Sequence, residues 1–179
     1  MIKTLYLIHH AKSDWEEPGA SDFERGLTDR GYRDINTIGS YLLLRGIVPD
    51  LILSSSALRA QESADRLAKK VGFEGPLLYL SELYLTPPET ILETVMLQED
   101  DADTIFVIGH NPQLTAFANM LTEEHVSKIP SMGVVAMRFD IDDWQGLETQ
   151  KGDIDFFIFP KQFKYYLPNQ IRAVLDRNG

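Results

Sequence analysis

The hydrophobic pattern of the chain alternates between short continuous apolar runs and longer segments with helical spacing. Continuous runs are typical of buried parallel strands, whereas apolar positions such as Ile35, Ile38 and Leu42 recur as they do on one face of a helix. Strands are therefore predicted at residues 3–8, 50–54 and 104–108, and a short extended segment is predicted at 77–80. A further pair of strands, expected to be antiparallel, is predicted at 133–141 and 154–159, around a turn at Trp144.

Start and stop signals place helices between these strands. Thr28 is a suitable N-cap, and Gly46 is a suitable terminator for a helix that runs to about Arg45. Further helices are predicted at about 57–71, 87–97 and 112–121, and a closing helix from Pro168. Alternation of this kind predicts a three-layer α/β sandwich, in which a mostly parallel central sheet carries helices on both faces.

Reactive side chains follow three of the predicted strands. His9 and His10 end the first strand, Arg59 lies in the first helical turn after the second, and His110 follows the third. In an open α/β sheet, ligands bind beyond the carboxyl ends of the strands. Each residue alone is more often a packed or solvated side chain. If the three strands are parallel neighbours, however, His10, Arg59 and His110 meet at one edge of the sheet.

Composition narrows the classes of protein. The 179 residues fit one domain, which we place at 1–179, and the hydrophobic content of 44% is that of an ordinary globular protein. The chain has no cysteine, which excludes disulfides and thiolate metal sites, and its apolar runs are too short for a signal peptide or a membrane span. We therefore expect a cytoplasmic protein without a membrane partner. A net charge of −10 argues against nucleic-acid binding and requires any phosphate site to be locally positive.

Several segments resemble one known family. Leu-Ile-His-His-Ala-Lys-Ser at residues 7–13 resembles the Arg-His-Gly/Ala signature of the histidine phosphatase superfamily, and its Ala-Lys-Ser end resembles the small SixA-like phosphohistidine phosphatase branch. The resemblance continues, in order and spacing, at residues 22–31, 54–63, 107–112 and 159–161. It covers nearly the whole chain and implies the phosphoglycerate mutase-like fold of that superfamily.

The resemblance implies a two-step phosphoryl transfer without a metal or another cofactor. His10 occupies the nucleophile position and would form a phosphohistidine intermediate that water then hydrolyses. A neutral imidazole is nucleophilic near pH 7, and Arg59 is suited to clamp two phosphoryl oxygens. His110, if protonated, would donate to a third. The implied substrate is phosphohistidine on a protein.

His9 departs from the family pattern, which carries arginine at this position. Three interpretations compete. His9 could be protonated beside the bound anion and act as a weaker clamp, it could be merely tolerated, or catalysis could be lost so that the domain only binds phosphorylated ligands. The first interpretation predicts that activity falls as His9 deprotonates, and that His9→Arg raises kcat/KM and flattens the alkaline limb.

Three further residues are candidates for phosphate or substrate binding. Lys12 is either a cation that faces the substrate or a solvated loop charge, and Ser13 either donates to the phosphoryl group or shapes the turn. Arg25 lies in a loop that the resemblance places over the pocket mouth, where it could offset the arginine missing at position 9. A salt bridge to a nearby carboxylate is the equally simple alternative for Arg25.

Glu82 is the candidate general acid, because related phosphomonoesterases and mutases supply a carboxylic acid in the corresponding segment. An exposed loop carboxylate is the simpler interpretation. A phosphohistidine substrate needs a proton donor less, since imidazole is a better leaving group than an alkoxide. His125 lies beyond any predicted strand end and is expected at the surface.

Two other functions remain open at this stage. One is a phosphatase of small phosphomonoesters, and the other is a phosphate-binding regulatory module without catalysis. The chain is short for the large insertions that shape mutase pockets, so an open site for a phosphorylated protein is favoured over a closed site for a small molecule. The sequence leaves the oligomeric state open.

Overall fold

A single six-stranded sheet organises the protein. The computed structural model describes residues 1–14 and 21–166. In chain order its strands are β1 (Ile2–His9), β2 (Leu51–Ser55), β3 (Leu77–Leu80), β4 (Thr104–Gly109), β5 (Val134–Asp140) and β6 (Asp153–Ile158). In space they lie in the order β3-β2-β4-β1-β5-β6.

The four strands β3, β2, β4 and β1 are parallel, and β5 and β6 extend the sheet as the predicted antiparallel pair. The parallel strands are apolar because both of their faces are covered. In the register of β1 with β4, His9 lies opposite Gly109. The polar residues that follow β1, β2 and β4 therefore emerge at the same edge of the sheet, as the sequence predicted.

Helices cover both faces of the sheet. The main helices are α1 (Asp29–Leu44), α2 (Leu58–Val71), α3 (Pro88–Met96), α4 (Gln113–Met120) and α5 (Pro160–Tyr166), with short 3₁₀ helices at Asp22–Glu24, Ser81–Leu83 and Trp144–Glu148. One apolar core joins the sheet to α1, α2 and α5, and the other joins it to α3, α4 and the 3₁₀ helix at Trp144. The predicted three-layer α/β architecture is confirmed.

The signals at the ends of α1 act as expected. Thr28 caps the helix by accepting a hydrogen bond from the Gly31 amide, and Gly46 follows the helix with a φ of +68°. Gly31 also lets the loop after β1 lie against the helix, since a Cβ there would come within 2.5 Å of the Lys12 carbonyl oxygen. This close approach fixes the loop that carries the predicted site.

Two predictions about the C-terminal part had different outcomes. The helix predicted from Pro168 lies outside the described residues. The structure instead has α5 from Pro160, a helix that the hydrophobic pattern did not indicate because only Phe163 of its described side chains is buried. Within the described part of the chain, no helix combines the length and the apolar character needed to cross a membrane.

Candidate active site

The predicted trio meets at the edge where the parallel strands end. Arg59 Nε lies 3.3 Å from His10 Nε2, and Arg59 Nη2 lies 3.3 Å from His110 Nδ1. All three side chains are buried, and the two imidazole rings are 5.0 Å apart between centroids. β1, β2 and β4 are adjacent and parallel, so residues more than 45 positions apart in sequence converge here.

The hydrogen bonds of His10 determine its tautomer. Its Nδ1 lies 2.7 Å from the carbonyl oxygen of Ala11, which can only accept, so Nδ1 carries the proton. Nε2 then holds a lone pair and accepts from Arg59. Burial lowers the pKa of His10 well below its ordinary value, and the neighbouring His9 lowers it further. His10 is therefore neutral near pH 7, with a lone pair on Nε2.

His110 is held in the opposite tautomer. Its Nδ1 accepts from Arg59 Nη2, and its Nε2 donates to Ser55 Oγ at 2.7 Å. Burial lowers the pKa of His110 to about 3, and the charge of Arg59 acts in the same direction. His110 is thus neutral in this pocket near pH 7. The extra donor expected from a protonated His110 would need a proton that arrives with the bound anion.

A carboxylate absent from the predicted site residues joins the two arginines. Asp22 accepts from Arg59 Nη2 at 3.1 Å, from Arg25 Nε at 3.2 Å and from the Tyr84 hydroxyl at 2.5 Å. Burial raises the pKa of Asp22, but the hydrogen bond from Tyr84 and the charge of Arg59 outweigh this and hold it below its ordinary value. Asp22 is therefore ionised near pH 7.

His9 lines the same cavity but faces a different wall. Its Nδ1 donates to the carbonyl oxygen of Ile129 at 2.9 Å, and its ring contacts that of His10 edge to face, with centroids 4.5 Å apart. Burial lowers the pKa of His9, and the charge of Lys128 adds to that effect. His9 is thus neutral near pH 7 in the unliganded pocket, and the protonated clamp of the first interpretation stays a prediction for the anion-bound state.

The three loop candidates occupy distinct positions. Ser13 is buried and accepts from Arg25 Nη1 at 2.8 Å, so Arg25 makes both the salt bridge to Asp22 and a contact inside the cavity. Lys12 is exposed and lies between the main cavity and a smaller groove of about 270 Å³ that also contains Arg30 and Lys161.

Glu82 does not join this group. It is exposed on the 3₁₀ helix at Ser81–Leu83 and is absent from the described residues that line the cavity. His125 is exposed, as expected, but contributes to the cavity wall.

Sequence reasoning missed the residues that build the far wall. Asn111 lies just before α4, and Thr115 and Asn119 lie on it, at a spacing of four residues that places polar side chains on one face of a helix. They bind the backbone of the segment 126–129: Asn111 Nδ2 donates to Ile129, Thr115 Oγ1 accepts from Ile129, and Asn119 pairs with both backbone groups of Val126. This polar periodicity was the signal available in the sequence. No comparable pattern in the sequence marked Asp22 or Tyr84 as site residues.

The cavity has a volume of about 960 Å³, at the upper end of the range for small-molecule sites. In the described ranges 1–14 and 21–166, no group of three or more histidine, aspartate or glutamate side chains is arranged to hold a metal ion. Among the described lining residues, the positive groups are Lys12, Arg25, Arg59 and Lys128. The α/β fold thus combines cationic side chains and neutral imidazoles in one cavity at the carboxyl edge of its parallel strands.

Comparison with known proteins identifies the family. The model of the histidine phosphatase superfamily (branch 1) matches residues 5–83. An uncharacterised protein of Mycobacterium tuberculosis is 30% identical over 141 residues, which cover 73% of this chain and 86% of that protein. The chain belongs to the histidine phosphatase superfamily.

Solved structures that resemble this chain include proteins described as SixA. A structure from Agrobacterium tumefaciens, described as a phosphohistidine phosphatase SixA, superposes with a TM-score of 0.75 and 27% identity, over 87% of this chain and 97% of that chain. A protein histidine phosphatase SixA complexed with tungstate has the same fold, with a TM-score of 0.78 and 16% identity, over 89% of this chain and 99% of that one. Family and neighbours together support a phosphatase.

Proposed function

We propose that this protein is a metal-independent phosphatase that removes the phosphoryl group from phosphohistidine on a protein, through a covalent intermediate on His10. The tautomer of His10 carries the proposal. Its Nδ1 proton is committed to the Ala11 carbonyl oxygen, which leaves the Nε2 lone pair in the cavity beside the Arg59 guanidinium. A neutral imidazole in this state needs neither a base nor a metal to attack phosphorus.

The first step forms a bond between His10 Nε2 and phosphorus as the bond from phosphorus to the substrate imidazole breaks. The leaving nitrogen keeps the bonding electron pair, and the substrate ring, which carries a proton on its other nitrogen, departs as neutral imidazole. Arg59 is placed to balance the charge of the phosphoryl oxygens, which is the main demand of phosphoryl transfer. In the second step, water attacks phosphorus, the bond to Nε2 breaks, and phosphate leaves with His10 neutral again.

The acid-base groups of the cavity favour a phosphoramidate over an alkyl phosphate. Asp22 is the one carboxyl group among the described lining residues, and its lowered pKa keeps it ionised. His110 has a pKa of about 3 and holds no second proton near pH 7. An alkoxide leaving group needs a proton donor, which these groups do not supply, whereas imidazole leaves without one.

A direct assay tests the proposal. The protein is incubated, with and without a chelator, with a histidine-phosphorylated protein, with phosphoramidate and with an aryl phosphate, beside His10→Ala. We expect hydrolysis of the first two substrates, an acid-labile phosphate on the wild-type enzyme, and a loss of at least about 10³-fold in His10→Ala. His125→Ala removes an exposed imidazole from the cavity wall and serves as the matched control.

Four results of this assay would contradict parts of the proposal. Turnover that survives His10→Ala rejects the nucleophile. A strong preference for the aryl phosphate favours a small phosphomonoester as the substrate. Binding of phosphoramidate without turnover favours a regulatory module, and loss of activity with the chelator rejects metal independence.

A further inference from the structure

The nitrogen atoms of His9 have unequal surroundings. Nδ1 donates to the Ile129 carbonyl oxygen at 2.9 Å, and the same oxygen accepts from Asn111 Nδ2 at 2.6 Å. A carbonyl oxygen cannot donate, so the proton of the neutral ring lies on Nδ1 and the lone pair lies on Nε2. The ring lines the cavity and contacts the His10 ring edge to face. His9 thus presents a proton-accepting atom beside the nucleophile.

An arginine at this position could not have that property. A guanidinium is permanently charged and has no lone pair to accept a proton, whereas an imidazole can take one up near neutral pH. Replacement of arginine by His9 therefore removes a fixed charge and adds a base. The two changes affect different steps, because anion binding benefits from charge and hydrolysis of the intermediate benefits from a proton acceptor.

We propose that His9 is the general base that activates the water that hydrolyses phosphorylated His10. The proposal rests on the proposed function. As the water oxygen bonds to phosphorus, the bond from phosphorus to His10 Nε2 breaks and its electron pair returns to Nε2. The water proton moves to His9 Nε2, phosphate leaves as the dianion, and His9 then releases its proton to solvent. Atoms and charge balance without a further reactant.

The surroundings of His9 suit this cycle. The His10 ring is in contact with the His9 ring, and Arg59, His110 and Lys128 line the same cavity. Burial lowers the pKa of His9, hydrogen bonds to the backbone of Ile129 and Pro130 oppose this, and the charges of Lys128 and Arg59 lower the pKa further. The net lowering keeps Nε2 unprotonated before the reaction. The phosphate dianion formed in the step favours the protonated ring. The double acceptor at Ile129 holds the ring in place in both states.

The two chemical steps can be measured separately. A rapid-quench experiment with phosphoramidate follows the formation of phosphorylated His10 and then its decay across pH 5–9, in wild type, His9→Arg and His9→Gln. We expect His9→Arg to form the intermediate at least as fast as wild type, and both variants to hydrolyse it at least tenfold more slowly. The phosphoenzyme then accumulates, kcat falls while kcat/KM is maintained in His9→Arg, and the acidic limb of the decay rate seen in wild type disappears.

The controls separate this inference from the proposed function. Glu89→Gln, which changes an exposed side chain outside the cavity lining, should leave both rates unchanged, and circular dichroism of each variant verifies its fold. Decay at the wild-type rate in His9→Arg and His9→Gln overturns the role of His9 and leaves the proposed function intact. Absence of phosphorylated His10 in every variant, with turnover retained, overturns both.

Discussion

Asp22 and Arg59 form an ion pair across the mouth of the candidate active site. Asp22 Oδ2 lies 3.1 Å from Arg59 Nη2, and the Asp22 carbonyl oxygen accepts from Arg59 Nη1 at 2.6 Å. The carboxylate thus occupies the outer edge of the guanidinium that the proposed mechanism uses for phosphate. It orients the arginine and, at the same time, reduces the positive charge available to a bound anion.

Removal of this carboxylate charge should tighten anion binding. Asp22→Asn keeps the backbone contact to Arg59 but relieves the repulsion between the carboxylate and phosphate. We expect inorganic phosphate to inhibit the variant at a concentration about threefold to tenfold lower than wild type. Inhibition constants from steady-state assays check this. Glu24→Gln removes the same charge two residues away and should change little. Weaker inhibition of Asp22→Asn would mean that the orienting role dominates.

The buried neutral imidazole of His110 should make the fold sensitive to acid. The unfolded chain protonates this residue near pH 6.5, whereas the folded protein does so at about pH 3. Between these values the unfolded state binds more protons, so the free energy of unfolding decreases as pH falls. The contribution has an upper limit of about 4–5 kcal/mol. Urea denaturation between pH 7 and 4 should show a shallower pH dependence for His110→Gln than for wild type.

His125→Gln provides the control for this measurement, since it removes an exposed imidazole. His9 and His10 also have lowered pKa values, so some pH dependence should persist in His110→Gln. Identical slopes in wild type and His110→Gln would contradict the assignment of His110 as a buried neutral group.

Glu82 should be dispensable for catalysis because it lies outside the cavity lining. We expect Glu82→Gln to hydrolyse both phosphoramidate and an aryl phosphate within about twofold of wild type. Steady-state kinetics with both substrates check this, beside Glu89→Gln as a matched exposed carboxylate. A selective loss of aryl phosphate hydrolysis in Glu82→Gln would support the acid role that the family resemblance implies.

Asn119 should stabilise the cavity wall. Its amide satisfies both backbone groups of the buried Val126 and also donates to the Thr115 carbonyl oxygen. Asn119→Ala leaves these groups without their partner and should lower the free energy of unfolding by about 1–3 kcal/mol. Urea denaturation measures the loss, and faster hydrogen exchange at the Val126 amide localises it. Gln98→Ala, which removes a single bond to Thr94, should cost less.

Much of the fold followed from the sequence because its patterns are local. Continuous apolar runs marked the strands whose two faces are both covered by helices. Thr28 and Gly46 marked the ends of α1. α5 was missed because its pattern is short and mostly exposed. The placement of His10, Arg59 and His110 at strand ends was also local, and parallel neighbours in the sheet were enough to bring them together.

The sequence by itself determined which reactive side chains follow which strands, and that His9 replaces the arginine of the family. Tertiary structure alone decided their protonation and pairing. The tautomer of His9 depends on the carbonyl oxygen of Ile129, that of His110 depends on Ser55, and the charge on Asp22 depends on residues up to 62 positions away. Hydrogen bonds and burial set these states, and both arise only when distant segments pack together.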